Sequence, residues 1–177
     1  LLGRKYLVRI FNGIFHLRGI DEMKLGAEHY SYMELVAKGL ELKGVKEWYL
    51  GLHSALKLNN MTHESFGIDE IMSASVFRAK PVRIDGHGFR FHKVSKRLLG
   101  FGIVKEGGIM YSDREKTILD FMYLWRYRGM DEETILAGVS EWAKGTNKDV
   151  MRRYAKRYPK AVAEMVERGL SGHKSGK

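Results

Sequence analysis

The chain has 177 residues, 44% apolar and 29% charged, enough for one ordinary core and too apolar for a wholly disordered polymer. It has no cysteine, which excludes disulfides, thiol nucleophiles and thiolate metal sites. No basic-then-apolar leader opens it, and its longest apolar runs, such as Phe121 to Trp125, fall far short of the roughly 20 residues of a spanning helix. The net charge of +10 is unevenly placed: residues 1–75 are neutral, 76–105 carry +7, 106–139 carry −3 and 140–177 carry +6.

These features predict a cytoplasmic protein. The opening Leu1-Leu2-Gly3 runs straight into a strand-like pattern, which predicts a chain lacking its native beginning. Residues 6–17 are rich in β-branched and aromatic types around Asn12-Gly13, a pair suited to positive φ at both positions of a tight hairpin turn. After a connection over 19–26, Tyr30, Met33, Leu35, Val36 and Leu40 fall at helical spacing, with a stop at Gly39 or Gly44. A second short helix is predicted over 51–58, closed by Asn59-Asn60 and preceded by Trp48-Tyr49.

From 74 to 111 the period changes to two. Val82 and Ile84 alternate with Arg83 and Asp85, and Phe89 and Phe91 alternate with Arg90 and His92, the two runs joined through residues 85–88. Phe101, Ile103, Ile109 and Tyr111 flank Glu106-Gly107-Gly108 in a further hairpin, so an antiparallel or mixed sheet is expected, with Arg83, Arg90, His92 and Lys105 facing outward. Ser112 and Glu115 have capping-box spacing, which starts a helix at Asp113. Ile118, Leu119, Phe121, Met122, Leu124 and Trp125 make that helix apolar nearly all round, as in a central buried helix.

Three more helices are predicted over 131–144, 146–158 and 159–168, with a disordered tail over 171–177. In the middle one Met151, Tyr154, Ala155 and Tyr158 form an apolar seam, while Lys148, Arg152, Arg153, Lys156 and Arg157 form a basic stripe. The fold class is therefore α+β: an N-terminal hairpin, a sheet packed on helices, and a C-terminal helical segment.

Clustered positive charge attracts polyanions through counterion release and steering, so nucleic acid is a natural partner, and an acidic protein would serve as well. The basic stripe and the hairpin residues Lys5 and Arg9, with Arg83 and Arg90 from the sheet, are candidate phosphate contacts. A solvated face is the simpler alternative for each.

The cluster Asp113, Glu115, Lys116 and Asp120 could be a metal-dependent nuclease site, two carboxylates holding a cation while lysine stabilises an anion. Its spacing favours scaffolding: a capping box, a carboxylate at the helix N-terminus and an i, i+4 ion pair. The seven histidines show no i, i+4 zinc motif. His53 beside Ser54 invites an acid–base reading, yet helix neighbours point in different directions. No metal or other cofactor is expected.

Trp48-Tyr49-Leu50-Gly51-Leu52-His53-Ser54-Ala55-Leu56, then Asn60-Met61, then strands, then Tyr111-Ser112-Asp113-Arg114-Glu115-Lys116-Thr117-Ile118-Leu119-Asp120 stand in an order that resembles AbiEi-type antitoxins. In that family an S/T-A-L helix precedes strands and a D-x-E-K-A/T-x-L-D signature, matched here by Asp113, Glu115, Lys116, Thr117, Leu119 and Asp120. The likeness spans most of residues 1–128.

The resemblance implies a non-enzymatic antitoxin and transcriptional autoregulator of an abortive-infection system, with its operator DNA and a nucleotidyltransferase-like toxin as partners. It implies four segments: 1–20, the wing-like remnant of a winged helix-turn-helix domain whose DNA-reading helix lies upstream; 21–130, the α+β antitoxin domain; 131–170, a helical extension; and 171–177, a tail. A metal-dependent nuclease and a pure protein-interaction module are the rival classes.

Overall fold

A computed structural model of the chain describes residues 6–172. The N-terminal hairpin pairs β1 (Leu7–Phe11) with β2 (Ile14–Leu17). Its turn differs from expectation. Only Gly13 takes a positive φ, Asn12 instead accepts a 2.6 Å hydrogen bond from the Arg9 guanidinium, and a bulge lies between Arg9 and Phe11. The bulge bends the strand, and Val8, Ile10 and Phe11 are buried in one core with the next long helix and the sheet.

The connection over 19–26 contains a short helix, α1 (Ile20–Leu25), that the apolar spacing did not predict because it buries no residue; the Glu22 carboxylate accepts from Gly19 N at 2.8 Å. Next, α2 (Tyr32–Leu42) begins with a capping box of Ser31 and Glu34 and runs through Gly39 to end just before Gly44. Its buried face carries Met33, Leu35, Val36 and Leu40.

Six strands form one mixed sheet in the order β5-β6-β4-β3-β8-β7. They are β3 (Trp48–Leu50), β4 (Ile68–Ser73), β5 (Val82–Ile84), β6 (His87–Lys93), β7 (Ile103–Glu106) and β8 (Ile109–Ser112). The predicted hairpins β5–β6 and β7–β8 are present, with Asp85-Gly86 and Gly107-Gly108 at positive φ in both turn positions. They lie at opposite edges. Between them run β4, parallel to β6, and β3, parallel to β8 and antiparallel to β4.

The sheet separates two cores. Trp48, Leu50, Ile71, Phe89 and Phe91 face the hairpin and α2, whereas Tyr49 and Met72 face the helical layer. That layer comprises α3 (Leu52–Leu58), α4 (Arg114–Tyr127), α5 (Glu132–Ala143), α6 (Lys148–Ala155) and α7 (Lys160–Gly172). α4 buries an unbroken run from Lys116 to Met122, as its composition predicts, and α5 to α7 share its core through Ile135, Val139, Met151, Tyr158, Val162 and Met165. α6 ends at Ala155, three residues before the expected end, and α7 ends at Gly172, so positions 171 and 172 of the expected disordered tail are helical, while 173–177 lie outside the described residues. No helix among the described residues is long and apolar enough to cross a membrane.

Candidate functional site

The four-residue cluster on α4 turns inward. The N-cap is Asp113, whose side chain accepts from Lys116 N at 2.8 Å, in place of the predicted Ser112–Glu115 box. Ser112 is buried against Thr117, their hydroxyls 2.7 Å apart, and Glu115 reaches away to accept from Asn147 N at 2.7 Å, ahead of α6. The predicted Ser112–Glu115 box is absent, because the chain turns helical one residue later, with Asp113 as the cap.

Lys116 and Asp120 have no exposed side-chain surface. Their Nζ and Oδ1 lie 3.5 Å apart, and Asp120 also accepts from the Tyr49 hydroxyl at 2.9 Å and the Tyr158 hydroxyl at 2.7 Å. Lys116 Nζ further lies 4.4 Å from the Phe101 ring centre and 4.6 Å from that of Tyr49. Burial lowers the Lys116 ammonium pKa, opposed by Asp120; burial first and the Asp120 charge second push both tyrosines well above their ordinary value. Asp113 is raised by burial, against hydrogen bonds from Lys116 N and the Tyr154 hydroxyl. The pair is thus closed off from solvent and hydrogen-bonded to Tyr49 and Tyr158.

The basic residues turn outward. Arg83 and Arg90 are exposed at the β5–β6 edge, as is Lys105 on β7. His92, expected on the same outer face, is instead buried, its ring held between Glu70 of β4 and the Arg128 guanidinium after α4. Lys148, Arg152, Arg153, Lys156 and Arg157 are all exposed. Arg152 pairs with Glu167 at 3.1 Å, with Asp149 beyond, in exposed ion pairs that exchange readily. Arg153 and Arg157 lie over the Tyr154 and Phe101 rings, each 5.6 Å from the ring centre. Arg9 is exposed, and Lys5 lies outside the described residues.

Tyr154 of α6 packs on Phe101, just before edge strand β7, while Arg90 on β6 and Arg83 on β5 stand four and five strands across the sheet, roughly 19 and 24 Å at the usual strand spacing.

A third group was missed by the sequence reading. Glu70 on β4 accepts from His53 Nδ1 at 2.9 Å and from His92 Nε2 at 3.2 Å, and the Arg128 guanidinium, at the end of α4, lies 3.5 Å from His92 Nδ1. Burial raises the Glu70 carboxyl, but the two imidazoles outweigh it and hold its pKa at about 2. An ionised Glu70 favours a proton on each facing nitrogen, which orients both imidazole rings.

A sharp strand-to-helix turn places His53. Gly51 packs so closely that a Cβ there would lie 2.6 Å from Met72 Cγ, and buried Leu52 takes φ +51°, a strained value for its type. His53 and Glu70 come together through a strand pairing invisible in local spacing; the usable signal was Gly51 before His53.

Among the described residues, no three His, Asp or Glu side chains are grouped to hold a metal ion. No family model matches the chain, and comparison with curated proteins finds no significant relative.

Proposed function

We propose that the chain is part of an AbiEi-type antitoxin and autoregulator, holding DNA phosphates through exposed basic side chains and neutralising a nucleotidyltransferase-like toxin. The observation that carries the reading is a division of charge. The signature residues Lys116 and Asp120 are fully buried, whereas Arg83, Arg90, Lys148, Arg153, Lys156 and Arg157 are exposed. A nuclease built on the signature would need Lys116 and Asp120 to reach a substrate, and neither has exposed side-chain surface.

Phosphate contacts from these basic side chains give affinity without base specificity. The exposed cations equally suit an acidic face of the toxin.

The test is co-expression with the product of the adjacent reading frame. The proposal expects a nucleotidyltransferase-like neighbour that arrests growth alone, is tolerated with this chain and co-purifies with it. A neighbour of another class, or undiminished toxicity, overturns it.

A further inference from the structure

A cleft of about 530 Å³ opens between α4, α5, α6 and α7, in the size range of small-molecule sites. Its floor is apolar, formed by Ile118, Met122, Val139, Met151 and Val166. Two of these are methionines, whose flexible thioethers adapt to a guest's shape. Its mouth is cationic: Lys144, Lys148 and Arg168 line it, and no carboxylate does among the described residues. Lys144 is paired with Glu141 at 2.6 Å and Arg168 with Glu132, both outside the lining, which leaves Lys148 as the surplus charge. The Lys144–Glu141 pair is solvent-exposed, and such pairs exchange partners at little cost.

We propose that this cleft binds an amphipathic anion, a hydrocarbon chain of roughly ten to twelve carbons ending in a carboxylate. The chain lies on the apolar floor and the headgroup meets Lys148 and Lys144. Two features select this class. An apolar floor favours hydrocarbon over water, and a mouth with cations but no acid in its lining favours a negative head over a neutral or positive one. The cleft shares only Lys148 with the proposed phosphate contacts; Arg83, Arg90, Arg153, Lys156 and Arg157 do not line it, so fatty-acid binding is read separately from DNA binding.

The test is calorimetric titration of the full chain with octanoate, decanoate and dodecanoate, each below its micelle concentration, with dodecyltrimethylammonium as the charge control. Saturable one-to-one binding is expected to strengthen roughly fourfold per added methylene and to be weaker by about tenfold or more for the cation. Lys148→Glu, an exposed change, weakens dodecanoate at unchanged helical circular dichroism; Ser140→Trp, filling the mouth, abolishes it. No saturable binding at millimolar dodecanoate, no chain-length dependence, equal binding of the cation, or indifference to both variants overturns the proposal.

Discussion

The Tyr158 hydroxyl lies 3.2 Å from Lys116 Nζ and donates to Asp120 Oδ1 at 2.7 Å, joining residues 42 and 38 positions apart in the chain. It ties the junction of α6 and α7 to the signature on α4. The segment 131–170 is thus packed into the same core as the signature helix.

That bond pattern predicts an asymmetry within the signature. Lys116→Met leaves the Asp120 carboxylate buried without its counter-charge and is expected to cost roughly 3–5 kcal/mol. Glu115→Ala removes one exposed acceptor from Asn147 N and is expected to cost about 1 kcal/mol. Urea denaturation measures both. Similar small losses for the two would mean that the buried pair is not the scaffold described.

Glu70 makes stability depend on acid. Its folded pKa of about 2 lies below the ordinary value of 4.5, so its contribution is complete above pH 4.5 and is lost as pH falls from there towards 2. The displacement corresponds to about 3 kcal/mol. Glu70→Gln is expected to lower stability at pH 7 and to flatten the acid limb between pH 4.5 and 2.5, read from urea midpoints. An unchanged acid limb would remove Glu70 as its source.

Gly39 tests whether the hairpin is part of the core. A Cβ there would lie 2.5 Å from Ile10 Cγ2 and 2.8 Å from Phe11 Cε2, so Gly39→Ala forces the hairpin off α2. A loss of about 1–3 kcal/mol is expected. Glycine-to-alanine within a free helix gains stability instead, so a more stable variant would show the hairpin to be loosely attached.

The local elements were legible wherever one spacing decided them. The Asp85-Gly86 and Gly107-Gly108 turns and the seam of Met151, Tyr154, Ala155 and Tyr158 each follow from neighbours within a few residues. β3 and β4 were not legible. Trp48-Tyr49-Leu50 is only three residues long and buried on both faces, and Ile68–Ser73 carries Asp69 and Glu70 among its apolar residues. The parallel pairing of β4 with β6 brings Glu70 to His92 across 22 positions, which no local period encodes. The charges of the signature were visible, but their inward direction depends on Tyr49 and Tyr158, both remote in the chain.

The central claim is that exposed cations, not the α4 carboxylates, make the contacts that matter. The most direct measurement is the salt dependence of affinity for a 20-base-pair duplex, compared between the unaltered chain, Arg153→Ala/Lys156→Ala/Arg157→Ala and Glu115→Ala. The account predicts measurable binding at low salt, a log–log slope reduced by up to about 3 in the triple variant, and no change with Glu115→Ala. Undetectable binding at low salt, an unchanged slope in the triple variant, or divalent-dependent cleavage lost with Glu115→Ala would contradict it.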